Sequence, residues 1–469
     1  MWVYTSTYSA KLLVFLSTAI LARLLTQEDF GVAGYALVFM SFLEILQGLG
    51  IRQALIYYRP NPERLNTAFW LGIGIGVGLY VITWLLAPVA GWFFNDPRAV
   101  EVTRALGLSI PISSLTLVHQ ALLHKDLAFK KQVTPQLGHS LCKGMISIVL
   151  ALLGFGYWSL ILGHVGGAIV RAVLYWWTIP WRPSLRFETD NVRPLLSYGS
   201  KISLNDGLSI ILNNLDYFLI GRFLGAAALG VYSLAFRIPE LLINQFSRVI
   251  GDVTFPVFTK MEVDRETSLR RGFLATVQYS NMIVFPLGVG LALVAEPFVL
   301  VAFTEKWAEA IPVTRAIALF ATFRASVFNA GVVYKVQGRP GLLARIQLWQ
   351  AAVAVPALLW AVSSGQVAVV AWTQAGLAFL LMCVQFIIAS RVLQISILAI
   401  LSALRPALTG VAVMAVVVIG VLQLSDIPLL QLITAVISGA LVYVATLWLL
   451  HQSLVQEARY SLLGALNRK

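Results

Sequence analysis

The sequence predicts an all-α polytopic membrane protein. Apolar residues make up 59% of the chain, charged residues make up 12%, and the mean hydropathy is +0.82. Runs of about 20 apolar residues, enough to cross ~30 Å of hydrocarbon, recur along almost the whole length. Open sheets would leave backbone groups unpaired in lipid, and the runs are too long and too uniformly apolar for barrel strands. We therefore expect helical spans and no soluble domain of useful size.

The apolar runs predict about fourteen transmembrane helices in a fixed order. Short loops separate the runs, and Gly, Pro, Asn or Asp marks many of these loops. No charged region with a cleavage site precedes the first span, so we expect no cleaved signal peptide. The predicted spans are 5–25, 31–57, 67–90, 100–123, 133–153, 157–178, 196–223, 229–258, 272–303, 311–334, 342–362, 367–389, 403–423 and 428–450.

Lys and Arg are distributed unevenly between the two ends of these spans. The loops after even-numbered spans and the C-terminal tail contain 20 of them, against 6 on the opposite side. Because cytoplasmic loops are enriched in basic residues, we expect both termini in the cytoplasm. The same bias accounts for most of the net charge of +13, so that charge does not indicate a nucleic-acid partner.

A repeated stretch suggests two equivalent halves. Residues 20–39 and 219–238 align without gaps at an offset of 199, with five identical residues. Each copy contains the end of one span, a short loop and the start of the next, and six spans separate the copies. We therefore expect two six-helix bundles, related by an axis along the membrane normal, with a cavity between them. The predicted domains are 1–180, 190–392, and two additional helices with a cytoplasmic tail over 399–469.

Polar residues within the spans share helix faces in both halves. A charge near the bilayer centre costs about 2.5–3.5 kcal/mol on insertion scales, so each one needs a reason. Polar faces on several spans are what a water-filled cavity needs, although hydrogen bonds between helices and local ion pairs are the alternative. The charged residues on these faces include Lys11, Glu44, Lys143, Arg171, Lys201, Asp206, Asp216, Arg237 and Arg248.

The basic residues on these faces favour an anionic solute. Lys11, Lys143, Lys201 and Arg171 have no evident acidic neighbour three or four positions away on the helix. Arg binds phosphate through two parallel hydrogen bonds, and Lys binds it as a compact point charge. Cys142 and Cys383 lie far apart in predicted spans, so we expect neither a disulfide nor a metal framework.

Four stretches resemble Wzx-type polysaccharide flippases. That family belongs to the MOP superfamily, together with the MATE exporters and the lipid II flippase. The resemblance extends over about residues 5–345, and the remainder matches only in hydrophobicity and span count. The stretches are ILARLLTQEDFGVAGYALVFMSFLEILQGLGIRQALI, ALLHKDLAFKK, NNLDYFLIGRFLGAAALGVYSLAFRI and FPLGVGLALVAEPFVLVAFTEKW.

The resemblance implies two bundles arranged as a V around a cationic cavity. It implies alternating access that carries an undecaprenyl-diphosphate-linked oligosaccharide across the bacterial inner membrane for O-antigen, capsule or exopolysaccharide synthesis. Polysaccharide polymerase and glycosyltransferases are the implied partners, and the implied protein is a transporter without a cofactor. Lys11 resembles a position where related flippases carry a cavity arginine. Candidate diphosphate ligands are Lys11, Lys143, Lys201, Arg171, Arg237 and Arg248.

Coupling to Na⁺ or H⁺ would use acidic residues within the bundles. The candidates are Asp206, Asp216 and Glu44. Two other function classes stay open. A MATE-like exporter of small molecules would need an acidic, aromatic cavity, which the basic faces disfavour. A polytopic glycosyltransferase or polymerase would need a large periplasmic loop, and the odd-numbered loops are short and lack an Asp-x-Asp pair.

Overall fold

The computed structural model describes residues 2–48, 51–57, 61–126, 128, 130–244, 265–337 and 339–452. These residues form helices and connecting segments, without a β-strand, so the predicted all-α class is confirmed for the described part of the chain. Helices suit such an apolar chain because a helix satisfies its backbone hydrogen bonds within one segment, without partners from water.

The helices follow one another with short connections. The first group is α1 (Trp2–Leu24), α2 (Gln27–Gly48), α3 (Ile51–Tyr57), α4 (Pro62–Phe94), α5 (Arg98–Gly107), α6 (Ser109–Ser114), α7 (Leu117–Lys125), α8 (Lys130–Leu152), α9 (Trp158–Thr178), α10 (Val192–Phe223) and α11 (Gly225–Pro239). A π-helical turn, Glu240–Asn244, continues α11. The second group is α12 (Arg265–Leu293), α13 (Ala295–Phe303), α14 (Ala310–Ser326), α15 (Phe328–Val336), α16 (Pro340–Ser363), α17 (Val367–Leu393), α18 (Ile397–Leu422) and α19 (Pro428–Leu450).

The chain divides into two compact units. Unit 1 comprises Met1–Leu234 and Val362–Val367, and unit 2 comprises Ala235–Ala361 and Ala368–Lys469. Unit 1 thus contains α1 to α10 with most of α11. The predicted domains 1–180, 190–392 and 399–469 stay predictions.

Nine stretches of the described residues are long and apolar enough to cross a membrane. A tenth is available if Arg98–Ser114 and Leu117–Lys125, which are bent by 47° relative to each other, form one span. Helices α8 and α10, which correspond to predicted spans 5 and 7, are outside this set. The count of fourteen spans and the sides of the termini stay predictions.

The two copies of the repeated stretch meet inside unit 1. A Cβ atom on Gly31 would overlap the carbonyl oxygen of Ala226, and one on Gly230 would overlap the carbonyl oxygen of Gln27. Gly31 corresponds to Gly230 in the repeat, and Gln27 corresponds to Ala226. The contact between the starts of α2 and α11 is therefore reciprocal, as a local twofold relation requires. Only glycine permits this approach of the two backbones.

In unit 2, the last two helices pack on α12. The Tyr443 hydroxyl on α19 donates a hydrogen bond to the Met282 carbonyl on α12, at 2.6 Å. Phe285 on α12 joins Met414 on α18 and Tyr443 in one buried apolar cluster. Burial of this apolar surface holds α18 and α19 against α12.

Candidate functional site

Three helices of unit 1 approach one another closely through glycines. Helix α8 packs against α9 more extensively than any other helix pair in the described residues, and also packs against α1. A Cβ on Gly167 of α9 would lie 2.9 Å from the Lys143 Cβ and 3.0 Å from the His139 Nδ1. A Cβ on Gly144 of α8 would lie 2.9 Å from the Ser17 Cβ on α1. Small residues at these crossings bring the polar side chains of α8 and α9 together.

A polar contact between α8 and α9 joins a lysine to a histidine. The Lys143 Nζ lies 3.3 Å from the His164 Nδ1. An ammonium group has donors only, so this hydrogen bond needs a neutral His164 with Nδ1 as the acceptor. The His139 ring lies edge-on to the His164 ring, with centroids 6.1 Å apart and planes at 89°. His164 is therefore positioned to orient the Lys143 ammonium.

Arg171 lies about two helical turns beyond His164 on α9. Its Nη2 donates a hydrogen bond to the Ser113 Oγ on α6, at 2.9 Å. Arg171 and Lys143 both act electrostatically on the His139 ring, whose Nδ1 is buried without a hydrogen-bond partner among the described residues. We call His139, Lys143, His164 and Arg171 the basic cluster. It places a lysine and an arginine on two helices that pack together, and both side-chain types are suited to binding an anion.

The other predicted basic residues are placed separately from the cluster or lie outside the described side chains. Lys11 is half-buried on α1, the helix that packs against α8. Arg237 is half-buried in α11, in the part that belongs to unit 2. The predicted site residues outside the described side chains are Lys201, Asp206, Glu44 and Arg248. Of the six predicted diphosphate ligands, Lys143 and Arg171 lie on adjacent helices, α8 and α9, and the diphosphate site stays a prediction.

Asp216 on α10 is the predicted coupling residue with a described environment. It is 2% exposed, and its carboxylate accepts hydrogen bonds from the Tyr232 hydroxyl at 2.6 Å and the Tyr217 backbone N–H at 3.0 Å. Buried carboxylates need such donors, because desolvation penalises the charge. Among the described residues, no group of three His, Cys, Asp or Glu side chains is arranged to hold a metal ion.

Two further polar residues contribute to polar sites but are not among those predicted from the sequence. Ser113 gives no distinguishing signal, because serine commonly lies in membrane helices and its role depends on the packing of α6 against α9. Arg324 on α14 does carry a signal. It lies within predicted span 10 and has no acidic residue three or four positions away, which is the criterion that identifies Arg171.

Comparison with known proteins identifies the family. The sequence model of the polysaccharide biosynthesis protein family matches residues 20–312. The teichuronic acid biosynthesis protein TuaB of Bacillus subtilis (strain 168) is 28% identical over 391 residues, which cover 80% of this chain and 78% of TuaB. The family match includes both copies of the repeated stretch and the basic cluster.

Two solved structures have a similar fold. The lipid II flippase MurJ, in an inward closed conformation, matches with a TM-score of 0.77 at 13% identity, over 97% of this chain and 99% of MurJ. An inward-facing multidrug resistance MATE transporter of the MOP superfamily matches with a TM-score of 0.64 at 16% identity, over 82% of this chain and 94% of that one. At these identities the similarity shows the fold alone. The chain thus has the fold of MOP superfamily transporters and, by its sequence, belongs to the polysaccharide biosynthesis protein family, as its resemblance to polysaccharide flippases predicted.

Proposed function

We propose that this protein is a flippase that carries an undecaprenyl-diphosphate-linked oligosaccharide from the cytoplasmic to the periplasmic leaflet of the bacterial inner membrane. The glycan would serve surface polysaccharide synthesis, alongside glycosyltransferases and a polymerase. Family membership supports the substrate class. The observation that carries the proposal is the basic cluster, in which Lys143 and Arg171 lie on adjacent helices among apolar segments. A cation within a membrane-spanning segment is costly, and an anionic substrate would offset part of that cost.

The chemistry of the cluster suits a diphosphate. The ammonium of Lys143 binds one phosphate as a point charge, and His164 orients it. The guanidinium of Arg171 has five N–H donors, and one of them donates to Ser113. A guanidinium can present two parallel donors to the oxygens of a phosphate. The sugars would stay in water and the prenyl tail in lipid, so only the head group meets the cost of crossing.

The membrane potential favours this direction of transport. A diphosphate head group carries negative charge, and an inside-negative potential favours its outward movement by about 2.3 kcal/mol per charge per 100 mV. For additional coupling to Na⁺ or H⁺, we propose Asp216 as the carrier, because its carboxylate is buried and hydrogen-bonded to Tyr232. Asp206 and Glu44 stay predictions.

The alternative function is export of small molecules by a MATE-like, cation-coupled mechanism. The similarity of fold to a MATE transporter favours it. A cationic drug would meet repulsion at the basic cluster, which is why we place this function second. A polymerase or glycosyltransferase function has no feature of the described residues in its favour.

The test replaces the cluster residues one at a time in cells whose own flippase gene is deleted. We expect Arg171→Ala and Lys143→Ala to reduce surface polysaccharide at least tenfold, with accumulation of the lipid-linked precursor. Lys131→Ala is the matched control, because Lys131 is an exposed lysine on the same helix as Lys143. Lys11→Ala and Lys201→Ala test the two other predicted lysines in the same assay.

Membrane abundance of each variant is measured in parallel. Unchanged polysaccharide in both cluster variants at normal abundance would remove the cluster from the mechanism. Drug sensitivity that changes while polysaccharide does not would instead favour the MATE-like function.

A further inference from the structure

An arginine lies on the exposed face of α18, among apolar side chains. The exposed residues of this helix recur every three or four positions, so they form one continuous face. In a multi-pass membrane protein, an exposed face of this composition contacts lipid. The opposite face is buried against α12 and α19. The exposed face includes Leu401, Arg405, Leu408, Ala412, Val416 and Ile419.

Arg405 has no acidic neighbour in this part of the chain. Residues 310–425 include seven Arg or Lys and no Asp or Glu, and Asp426 lies in the loop at the other end of α18. Among the described side chains, none forms an ion pair with the Arg405 guanidinium. A charged side chain on a lipid-facing helix surface is costly, and an anion from the bilayer would offset part of that cost.

The packing of α19 indicates the depth of Arg405 in the bilayer. His451 directly follows the apolar helix α19, and its Nε2 lies 3.1 Å from the Thr409 Oγ1 on α18. Because Arg405 lies one turn from Thr409, it is close to the level at which α19 ends. Trp448, 60% exposed, fits a boundary there, since tryptophan is enriched where the membrane meets water. From Arg405 to Leu422, α18 extends about 26 Å, slightly less than the ~30 Å of hydrocarbon, so the long side chain of Arg405 can reach the lipid phosphates.

The surroundings of Arg405 suit a phospholipid whose headgroup has no cation. A guanidinium can present two parallel N–H donors to the oxygens of one phosphate. Leu401 and Leu408, about one turn to either side of Arg405, are 51% and 45% exposed and can contact the acyl chains. In a zwitterionic phospholipid the phosphate already has the cationic amine of its own headgroup close by, so pairing with the guanidinium adds less.

We propose that Arg405 binds the phosphate of an anionic phospholipid, such as phosphatidylglycerol, where α18 and α19 reach the boundary of the bilayer. This site belongs to unit 2, whereas the basic cluster belongs to unit 1. The proposal does not depend on the proposed flippase function. Because the lipid binds the folded protein, it stabilises unit 2 in membranes that contain anionic phospholipid.

The test titrates the purified full-length protein in detergent with phosphatidylglycerol or phosphatidylcholine and counts the bound lipids by native mass spectrometry. We expect Arg405→Gln to retain one phosphatidylglycerol fewer than the wild type, with no change for phosphatidylcholine. Arg405→Lys keeps the charge without the paired donors and should bind that lipid with intermediate affinity. Arg391→Gln is the matched control, because Arg391 is an exposed arginine at the end of α17, outside the exposed face of α18. It should retain as many lipids as the wild type.

The melting temperature of each variant without added lipid checks that it folds, and Arg405→Gln should not change it because the side chain is exposed. With phosphatidylglycerol added, the wild type should gain more thermal stability than Arg405→Gln. Equal lipid counts in the wild type and Arg405→Gln would overturn the proposal, and so would an equal loss in Arg391→Gln, which would show a general effect of charge.

Two other occupants of this face are separate outcomes. Geranylgeranyl diphosphate is the probe for a prenyl diphosphate, and its displacement of phosphatidylglycerol at equal concentration would assign the site to a substrate-like lipid and overturn the proposal. Failure of the wild type to retain any phosphatidylglycerol would also overturn it and would leave the face to another occupant, such as residues 453–469. None of these outcomes bears on the flippase function, because the polysaccharide assay is not used.

Discussion

In the first copy of the repeated stretch, α2 begins with acidic residues, whereas in the second copy α11 begins with alanines. Glu28 of α2 pairs with Arg98 at the start of α5, with 2.6 Å between Oε1 and Nη2. The positions equivalent to Glu28 and Asp29 in the second copy are Ala227 and Ala228. The second copy is instead attached to the end of α4 through Arg222, near the end of α10. The Arg222 Nη1 donates a hydrogen bond to the Phe93 carbonyl at 2.8 Å.

Both attachments reach the same corner of unit 1, where α4 ends and α5 begins. The first copy reaches it with a carboxylate, and the second reaches it with a guanidinium. The glycine contact between the copies is common to both. The backbone approach at Gly31 and Gly230 is therefore the shared element, whereas the electrostatic attachments differ between the copies. We therefore expect substitution of either glycine to lower stability by the same amount. Substitution of the two attaching side chains, Glu28 and Arg222, should lower it by different amounts.

The largest effect should follow from Gly31→Ala or Gly230→Ala. Each added methyl group would overlap a backbone carbonyl, so α2 and α11 must separate, and we expect a loss of about 2–3 kcal/mol of stability. Because both changes disrupt one contact, the double variant should lose less than the sum. Thermal and denaturant unfolding of the purified protein measures this. Gly74→Ala on α4 is the control, since a Cβ there meets nothing within 4 Å; equal melting of Gly31→Ala and Gly74→Ala would contradict the reciprocal contact.

An intermediate effect should follow from Arg222→Ala. The side chain is half-buried and donates to two of the last carbonyls of α4, at 2.8 and 3.3 Å. Cations at a helix C-terminus are favoured by hydrogen bonding and by the helix dipole, so we expect a loss of about 1–2 kcal/mol. The matched variant is Arg23→Ala, at the same repeat position on an exposed side chain, which should cost less. If Arg23→Ala lowered the melting temperature more than Arg222→Ala does, the contact of Arg222 with the end of α4 would not be the stronger of the two.

The smallest effect should follow from Glu28→Gln. Arg98 and Glu28 are 37% and 56% exposed, and exposed ion pairs contribute about 0–1 kcal/mol. Arg98 also keeps its 2.8 Å contact with Asp96. The melting temperatures of the variant and the wild type should converge as salt is raised, because salt screens the pair in the wild type. A Glu28→Gln effect as large as that of the glycines would show that the attachment, and not the backbone contact, dominates.

The all-α class could be predicted because bilayer thickness and backbone hydrogen bonding leave few alternatives. The polar faces of single helices could also be predicted from their periodicity, and Lys143 and Arg171 lie on two of those faces. Which faces oppose each other depends on close approach at Gly144 and Gly167, and helix periodicity does not reveal it. The contact of Ser113 with Arg171 and the pairing of Asp216 with Tyr232 depend on that packing and were therefore not predictable.

The reciprocal glycine contact also has a consequence for biosynthesis. Gly230 is synthesised 199 residues after Gly31, which takes about 10–40 s at 5–20 residues per second. During that interval the start of α2 lacks the backbone that will later cover it. The insertion machinery or surrounding lipid must protect this surface until the ribosome has produced its counterpart.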